Sequence, residues 1–216
     1  MSARDSLLLA AFAPELACLR IEPPPGWRVV LTGVGLATAG VATARTLAKK
    51  RPQRALFIGT CGAYDNRLDI GDCVAISEVI VCSVSEMQKR AFRPSIETTR
   101  WPATWGLPLP ERIAAVTPAI TSNREDAALL GQIADVEHLE LAGVFAACHL
   151  AGIPVAAALV VANRVGPEAN AQWEASHESM SGKLAETLKR LGVFYSVSDS
   201  KPRFAPGISA MPYSRF

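Results

Sequence analysis

The chain of 216 residues has no C-x-x-C pair, no apolar run long enough to cross a bilayer and no marked excess of either charge. Each absence excludes a class of function. The cysteines Cys18, Cys61, Cys73, Cys82 and Cys148 make an odd count and mostly lie within apolar stretches, so neither a disulfide framework nor a zinc site is expected. They read as buried thiols of a reducing compartment. His138, His149 and His177 show no ligand-like spacing to cysteine or carboxylate, and no metal is expected; His149, on an apolar stretch, reads as a satisfied core histidine. A formal net charge of +2, spread along the chain, leaves no electrostatic footprint for nucleic acid or an anionic membrane. The apolar stretch 7–12 is too short for a membrane span and is soon followed by Glu15. A cytoplasmic protein acting on a small, neutral or weakly charged molecule is the expectation.

Half of the residues (50%) are hydrophobic, enough for one well-buried core, and no internal repeat divides the chain. β-favouring runs at 6–10, 27–32, 55–58, 72–84, 116–121 and 154–162 read as strands. Helical patterns begin after Pro14 and cover 36–50, 139–151 and 171–191; the basic end Lys49-Lys50-Arg51 suits a helix C-terminus, and Gly152 suits a helix stop. The proline- and tryptophan-bearing stretch 85–111 reads as an irregular loop. Strands alternating with helices predict one α/β domain over 1–195, three layers deep, with a central mixed, mostly parallel sheet flanked by helices. Residues 196–216, rich in Ser, Pro, Gly, Arg and Phe, read as a C-terminal tail.

Polar residues just past the expected strand ends form one set: Glu15 after the first, Gly33 and Gly35 after the second, Thr60 after the third and Asn163 after the last, with Glu140 at a helix start. Ligands of α/β sheets bind along that edge, so these residues are candidates for one site; singly, each is more simply a cap or turn residue. Gly33-Val34-Gly35 with Gly40 is a poor dinucleotide fingerprint, because residues 49–54 offer no carboxylate for a ribose. An oxidoreductase therefore ranks last. Trp173 and Phe145 read as core.

The run Ile58-Gly59-Thr60-Cys61-Gly62-Ala63, followed by Leu68-Asp69-Ile70-Gly71-Asp72, resembles the signature of the purine and uridine phosphorylases and the methylthioadenosine/adenosylhomocysteine nucleosidases. Leu139-Glu140-Leu141-Ala142-Gly143, continuing to Gly152-Ile153-Pro154, is similar to that family's Met-Glu helix and following strand, and Glu15 stands where its hydrolases carry an N-terminal acid. The resemblance spans about residues 7–190. It implies a phosphorylase/hydrolase-like fold, no cofactor, a purine nucleoside as the small-molecule partner, and a homodimer or higher homo-oligomer. It also implies roles: Glu15 as general base for a water, Thr60, Cys61 and Gly62 in the substrate loop, Glu140 on the ribose hydroxyls, Asn163 on the leaving base, Val34 and Leu139 as lining, and Thr121 and Ser122 as base contacts.

Two departures matter. The family ends its late strand in Ser-Asp, where this chain has Ala162-Asn163. An amide both donates and accepts, which suits a 6-oxopurine such as hypoxanthine, and the stretch Asn163-Arg164-Val165-Gly166-Pro167 is similar to futalosine hydrolases of an alternative menaquinone pathway. The hydrolases' usual arginine in the preceding strand is Leu159 here, which leaves Glu15 without that partner; Arg164, on the opposite strand face, is no obvious substitute. Ile58 stands where a phosphorylase carries a phosphate-binding arginine, so hydrolysis is expected rather than phosphorolysis. A phosphorylase, a methylthioadenosine-type nucleosidase and a non-catalytic nucleoside-binding homologue are the alternatives.

Overall fold

The computed structural model describes residues 5–195; the tail expected at 196–216 lies outside them. Strand β1 (Ser6–Ala10) is buried at every position. A strand covered on both faces needs no alternation, which is why its sequence is a continuous apolar run. β1 pairs in parallel with β2 (Trp27–Leu31) on one side and with β3 (Ala55–Ala63) on the other. Along its other edge β3 pairs in parallel with β8 (Val155–Arg164), and β8 pairs antiparallel with β4 (Cys73–Val81). β4 also carries β5 (Arg100–Pro102), antiparallel, and β6 (Glu111–Val116), parallel. The sheet is mixed and mostly parallel, in line with the sequence reading.

One feature of the topology is absent from that reading. β7 (Val136–His138) pairs with β6 and with the far end of β3, so β3, β8, β4, β6 and β7 close into a ring. β1 pairs with β3 at Ala55, Leu56 and Phe57, and β7 takes over the same edge only at Gly62 and Ala63. Between those points the edge of β3 faces no strand, and the candidate site is built there.

Several expected bounds are corrected. β3 and β8 run on through Thr60–Gly62 and Asn163, because the two strands hold each other in register to Ala63↔Arg164 across a bulge after Cys61. The strand expected at 116–121 lies at Glu111–Val116: Pro118 has no N–H for a ladder, and the Thr117 hydroxyl donates to Ala119 O at 2.8 Å in a turn. The stretch expected as loop carries the short helix α2 (Val84–Met87) and β5, whose Pro102 sits at the edge of the sheet. The segment after Pro14 is a kinked 3-10 helix (Ala13–Arg20), with Ala17 at φ 46°.

Helices cover both faces. On one lie α1 (Leu36–Lys49), burying Ala39, Thr43 and Leu47 at four-residue spacing, and α4 (Leu141–Ala151), stopped by Gly152 in the left-handed region at φ 60°. On the other, α5 (Ala169–Arg190) and the 3-10 segment pack Leu184, Leu188, Leu16 and Leu19 against β1, β3 and β8. α3 (Arg124–Leu130), capped by the Asn123 side chain, closes one end over Tyr64 and Val165. No described helix is long and apolar enough to cross a membrane.

Candidate active site

The gap in the edge of β3 leaves backbone N–H groups without strand partners, and a buried N–H requires an acceptor. Glu15 supplies it. Its Oε1 accepts the Thr60 N–H at 2.9 Å and the Thr60 hydroxyl at 3.0 Å, while Oε2 accepts the Ala11 N–H, just past β1, at 3.1 Å. The carboxyl thus bridges two strands where the sheet divides, which ties its position to the topology. Glu15 is 3% exposed, and Leu159 is fully buried in the core rather than serving as a charge partner. Arg164 donates to Asp65 O and lies 3.2 Å from Asp69, away from Glu15.

Burial without a cation raises the Glu15 pKa from 4.5 to about 7, against the opposing pull of the Thr60 hydrogen bonds and with repulsion from Glu140 added. A carboxyl whose folded pKa lies above its unfolded value stabilises the fold below the unfolded value, and that stability is lost as pH rises through about 7. The loss amounts to about 3 kcal/mol for such a shift. The stability advantage of Glu15→Gln over the natural chain is therefore expected to grow by up to that amount between pH 5 and pH 8. Denaturant unfolding of both proteins at the two pH values measures it, since other titrating groups cancel in the difference.

Glu140 reaches the same space from the other side. It precedes α4, and its Oε1 accepts the Gly35 N–H at 2.7 Å. Gly35 adopts φ 89°, a region that L side chains rarely enter, so glycine is needed to aim this N–H at the carboxylate. His138 Nδ1 accepts the Glu140 backbone N–H at 3.1 Å and also lies 3.1 Å from Glu140 Oε2. Both contacts cannot be hydrogen bonds of one nitrogen in one state. Burial lowers the His138 pKa toward the neutral ring, more than Glu140 raises it, so Nδ1 is assigned as the acceptor and the carboxylate contact is one of distance only.

The cleft so framed has a volume of about 320 Å³ and is lined by Phe12, Glu15, Val34, Thr60, Glu140, Asn163 and Trp173 among others. That is within the size range of small-molecule sites. Cys61, Gly62 and Leu139 line it as well. A Cβ on Gly62 would stand 2.8 Å from Asn163 Nδ2, so the glycine leaves the space that Asn163 occupies. Asn163 Nδ2 donates to Arg164 O at 3.0 Å, which orients the amide and leaves Oδ1 and the second N–H for other partners.

Two candidates fall outside. Thr121 is buried behind the lining, donating its N–H at 3.0 Å and its hydroxyl at 2.5 Å to Glu137, and Ser122 is exposed beyond it; both follow the end of β6, which stops short of where a strand to 121 would have carried them. Glu137, His138 and Trp173 were missed as lining residues. Trp173 is not core: its indole Nε1–H donates to Thr60 Oγ1 at 3.0 Å. The signal for Glu137 and His138 was faint, because a strand of three residues shows no period. His149 is satisfied as expected, with Nε2 at 2.8 Å from Pro102 O. Among the described residues no group of His, Cys, Asp or Glu has the geometry of a metal site.

Comparison with known proteins is consistent with this architecture. The model of the phosphorylase superfamily matches residues 26–131. No curated protein sequence matches the chain. Among solved structures, the 5'-methylthioadenosine/S-adenosylhomocysteine nucleosidase of Helicobacter pylori aligns with a TM-score of 0.76 at 15% identity, over 88% of this chain and 98% of its own. The futalosine hydrolase of Helicobacter pylori strain 26695 aligns with a TM-score of 0.76 at 16% identity, over 88% and 97%. The nucleosidase of Neisseria meningitidis, in complex with methylthio-immucillin-A, gives 0.74 at 15%, over 87% and 98%. At such identities the structural likeness speaks for the fold alone. By the match over residues 26–131 and by that fold, the chain is similar to the phosphorylase superfamily.

Proposed function

We propose that the protein is a nucleosidase that hydrolyses the N-glycosidic bond of a 6-oxopurine nucleoside, with futalosine, releasing hypoxanthine, as the leading substrate. The observation that carries this reading is that Glu15, Glu140 and Asn163, far apart in the chain, line one cleft of about 320 Å³. Solved proteins of the same fold are named nucleosidases and a futalosine hydrolase, which supports the reaction class.

The chemistry follows from the contacts. Among the described residues Glu15 Oε1 accepts two hydrogen bonds and Oε2 one, so Oε2 retains capacity for a proton from water. A base with a pKa near the working pH suits general base catalysis of water attack on the anomeric carbon. Glu140, fixed by the Gly35 N–H, accepts hydrogen bonds from ribose hydroxyls and favours positive charge developing on the sugar. Asn163 donates to and accepts from the departing base. Among the described residues, none that lines the cleft is Lys or Arg, whereas Glu15, Glu137 and Glu140 all do. A phosphate dianion would meet carboxylates without a cationic clamp, which favours water as the nucleophile.

Incubation of the protein with futalosine, inosine and methylthioadenosine, with and without phosphate, tests the reading. Phosphate-independent release of hypoxanthine is expected. Release that strictly requires phosphate would make it a phosphorylase, and no release from any of them would leave a binding protein. In the same panel, Asn163→Asp removes an N–H donor from the cleft and the bond to Arg164 O. The ratio of 6-oxopurine to 6-aminopurine cleavage is expected to fall by about 10-fold or more, the scale of one lost hydrogen bond to a buried group.

A further inference from the structure

We infer that Trp173 is a positioning residue for Glu15, acting through Thr60: its indole N–H turns the Thr60 hydroxyl proton toward Glu15 Oε1, so that an abstracted proton is taken up on Oε2. The inference rests on the reading of Glu15 as general base.

The relay has only one possible direction. An indole N–H donates and cannot accept, so in the 3.0 Å contact Thr60 Oγ1 is the acceptor. A threonine hydroxyl has a single proton, and the other short contact of that oxygen is Glu15 Oε1 at 3.0 Å. The Thr60 proton therefore points at Glu15. With the Thr60 N–H also on Oε1 at 2.9 Å, that oxygen faces two donors and, among the described residues, has no acceptor to which a proton of its own could be given. A proton arriving on Glu15 is thus directed to Oε2, whose one partner among the described residues is the Ala11 N–H. If the indole N–H is removed, the Thr60 hydroxyl is free to rotate and accept from a protonated Oε1, and the bias is lost.

Trp173 is held firmly enough to impose this order. The first turns of α5 are tied to the end of β8 on both sides of it: Gln172 Oε1 accepts the Arg164 N–H at 2.8 Å, and the Ser176 hydroxyl donates to Ala162 O at 2.7 Å. His177 stacks on the indole with centroids 4.2 Å apart, and Phe12 packs against both rings. The groups around Glu15 that titrate or carry charge are Glu140 from the start of α4, Glu137 and His138 on β7, Cys61 on β3, whose thiol burial keeps protonated, and His177 on α5 behind the aromatic pair. None of the described cleft residues is a Lys or Arg that would hold Glu15 ionised, so its hydrogen-bond donors carry that task.

The test compares the natural chain, Trp173→Phe, Thr60→Val and the double variant by two readouts. Phenylalanine retains the stacked ring and deletes the N–H. The first readout is the titration of Glu15 followed by carboxyl carbon NMR on protein without substrate, with Glu15→Gln identifying the signal. The second is the acid limb of kcat/KM. Trp173→Phe is expected to move both upward by about half to one pH unit, the scale of one hydrogen bond. Thr60→Val moves them at least as far, and adding Trp173→Phe to it moves them no further. An unchanged Glu15 midpoint in Trp173→Phe, or an undiminished effect of that change in the Thr60→Val background, overturns the inference. If Trp173→Phe does not fold, an unchanged midpoint in Thr60→Val overturns it equally, since no hydroxyl then links the indole to the base. The NMR midpoint is read without turnover, so a shifted midpoint beside an inactive natural chain sinks the nucleosidase reading and leaves the relay standing.

Discussion

Glu15→Gln is expected to lower turnover of the cleaved nucleoside by about 10²-fold or more, the usual scale of a general base. Nucleoside binding should survive. The glutamine has one acceptor oxygen where the carboxylate has two, and its amino group has to face either the Ala11 N–H or the Thr60 N–H. Part of the loss is therefore local misplacement, which the pH profile separates from the loss of the base. In the proposed reaction Glu15 must be ionised to take a proton from water. With its pKa raised to about 7 by burial, kcat/KM should climb roughly tenfold per pH unit below that value and level above it. The variant should lose that limb altogether. Steady-state rates between pH 5 and pH 9 check both points, and an unchanged limb in Glu15→Gln would reject this residue as the base.

The second large effect is one of folding. Gly143→Ala is expected to destabilise the protein by about 3 kcal/mol or more, the upper range for an overpacked interior. A Cβ on Gly143 would stand 2.2 Å from Leu36 O and 2.8 Å from Gly40 N, both backbone atoms of α1. Helix propensity alone favours alanine by ~1 kcal/mol. The steric term opposes it with the larger magnitude, because a helix backbone cannot swing aside as a side chain does. Gly182→Ala in α5 is the control, since a Cβ there meets nothing within 4 Å, and it should be neutral or stabilising. Denaturant midpoints of the two variants decide the sign. The strain also reaches the site: Leu36 begins α1 directly after Gly35, whose N–H holds Glu140, so the surviving folded fraction of Gly143→Ala should bind nucleoside less tightly.

Legibility in the sequence followed the range of the forces involved. β1 and β8 were readable because a strand buried on both faces is a continuous apolar run. α1 was readable from its alanine-rich run and its basic end Lys49-Lys50-Arg51, and its start from the turn Gly33-Val34-Gly35. β7 and β5 were not, since three residues carry no period and their existence depends on pairing with chain segments far away. The closure of the ring, and with it the gap beside Thr60, was invisible for the same reason. Glu15, Glu140 and Asn163 were picked out by their places at element ends and by a family resemblance, whereas Trp173 read as core because an indole's single polar atom leaves no trace in an apolar pattern.

The amino-acid sequence by itself determined the layered α/β class, the residues able to take part in acid–base chemistry and the absence of a dinucleotide carboxylate after Gly35. These depend on residue type and on neighbours a few positions away. Tertiary structure alone decided that Glu15 sits between β1 and β7 on the edge of β3, that burial rather than a partner charge sets its proton affinity, and that Thr121 and Ser122 stand outside the cleft. Electrostatics and hydrogen bonding act through space, and the distances that set them arise only when the strands have closed.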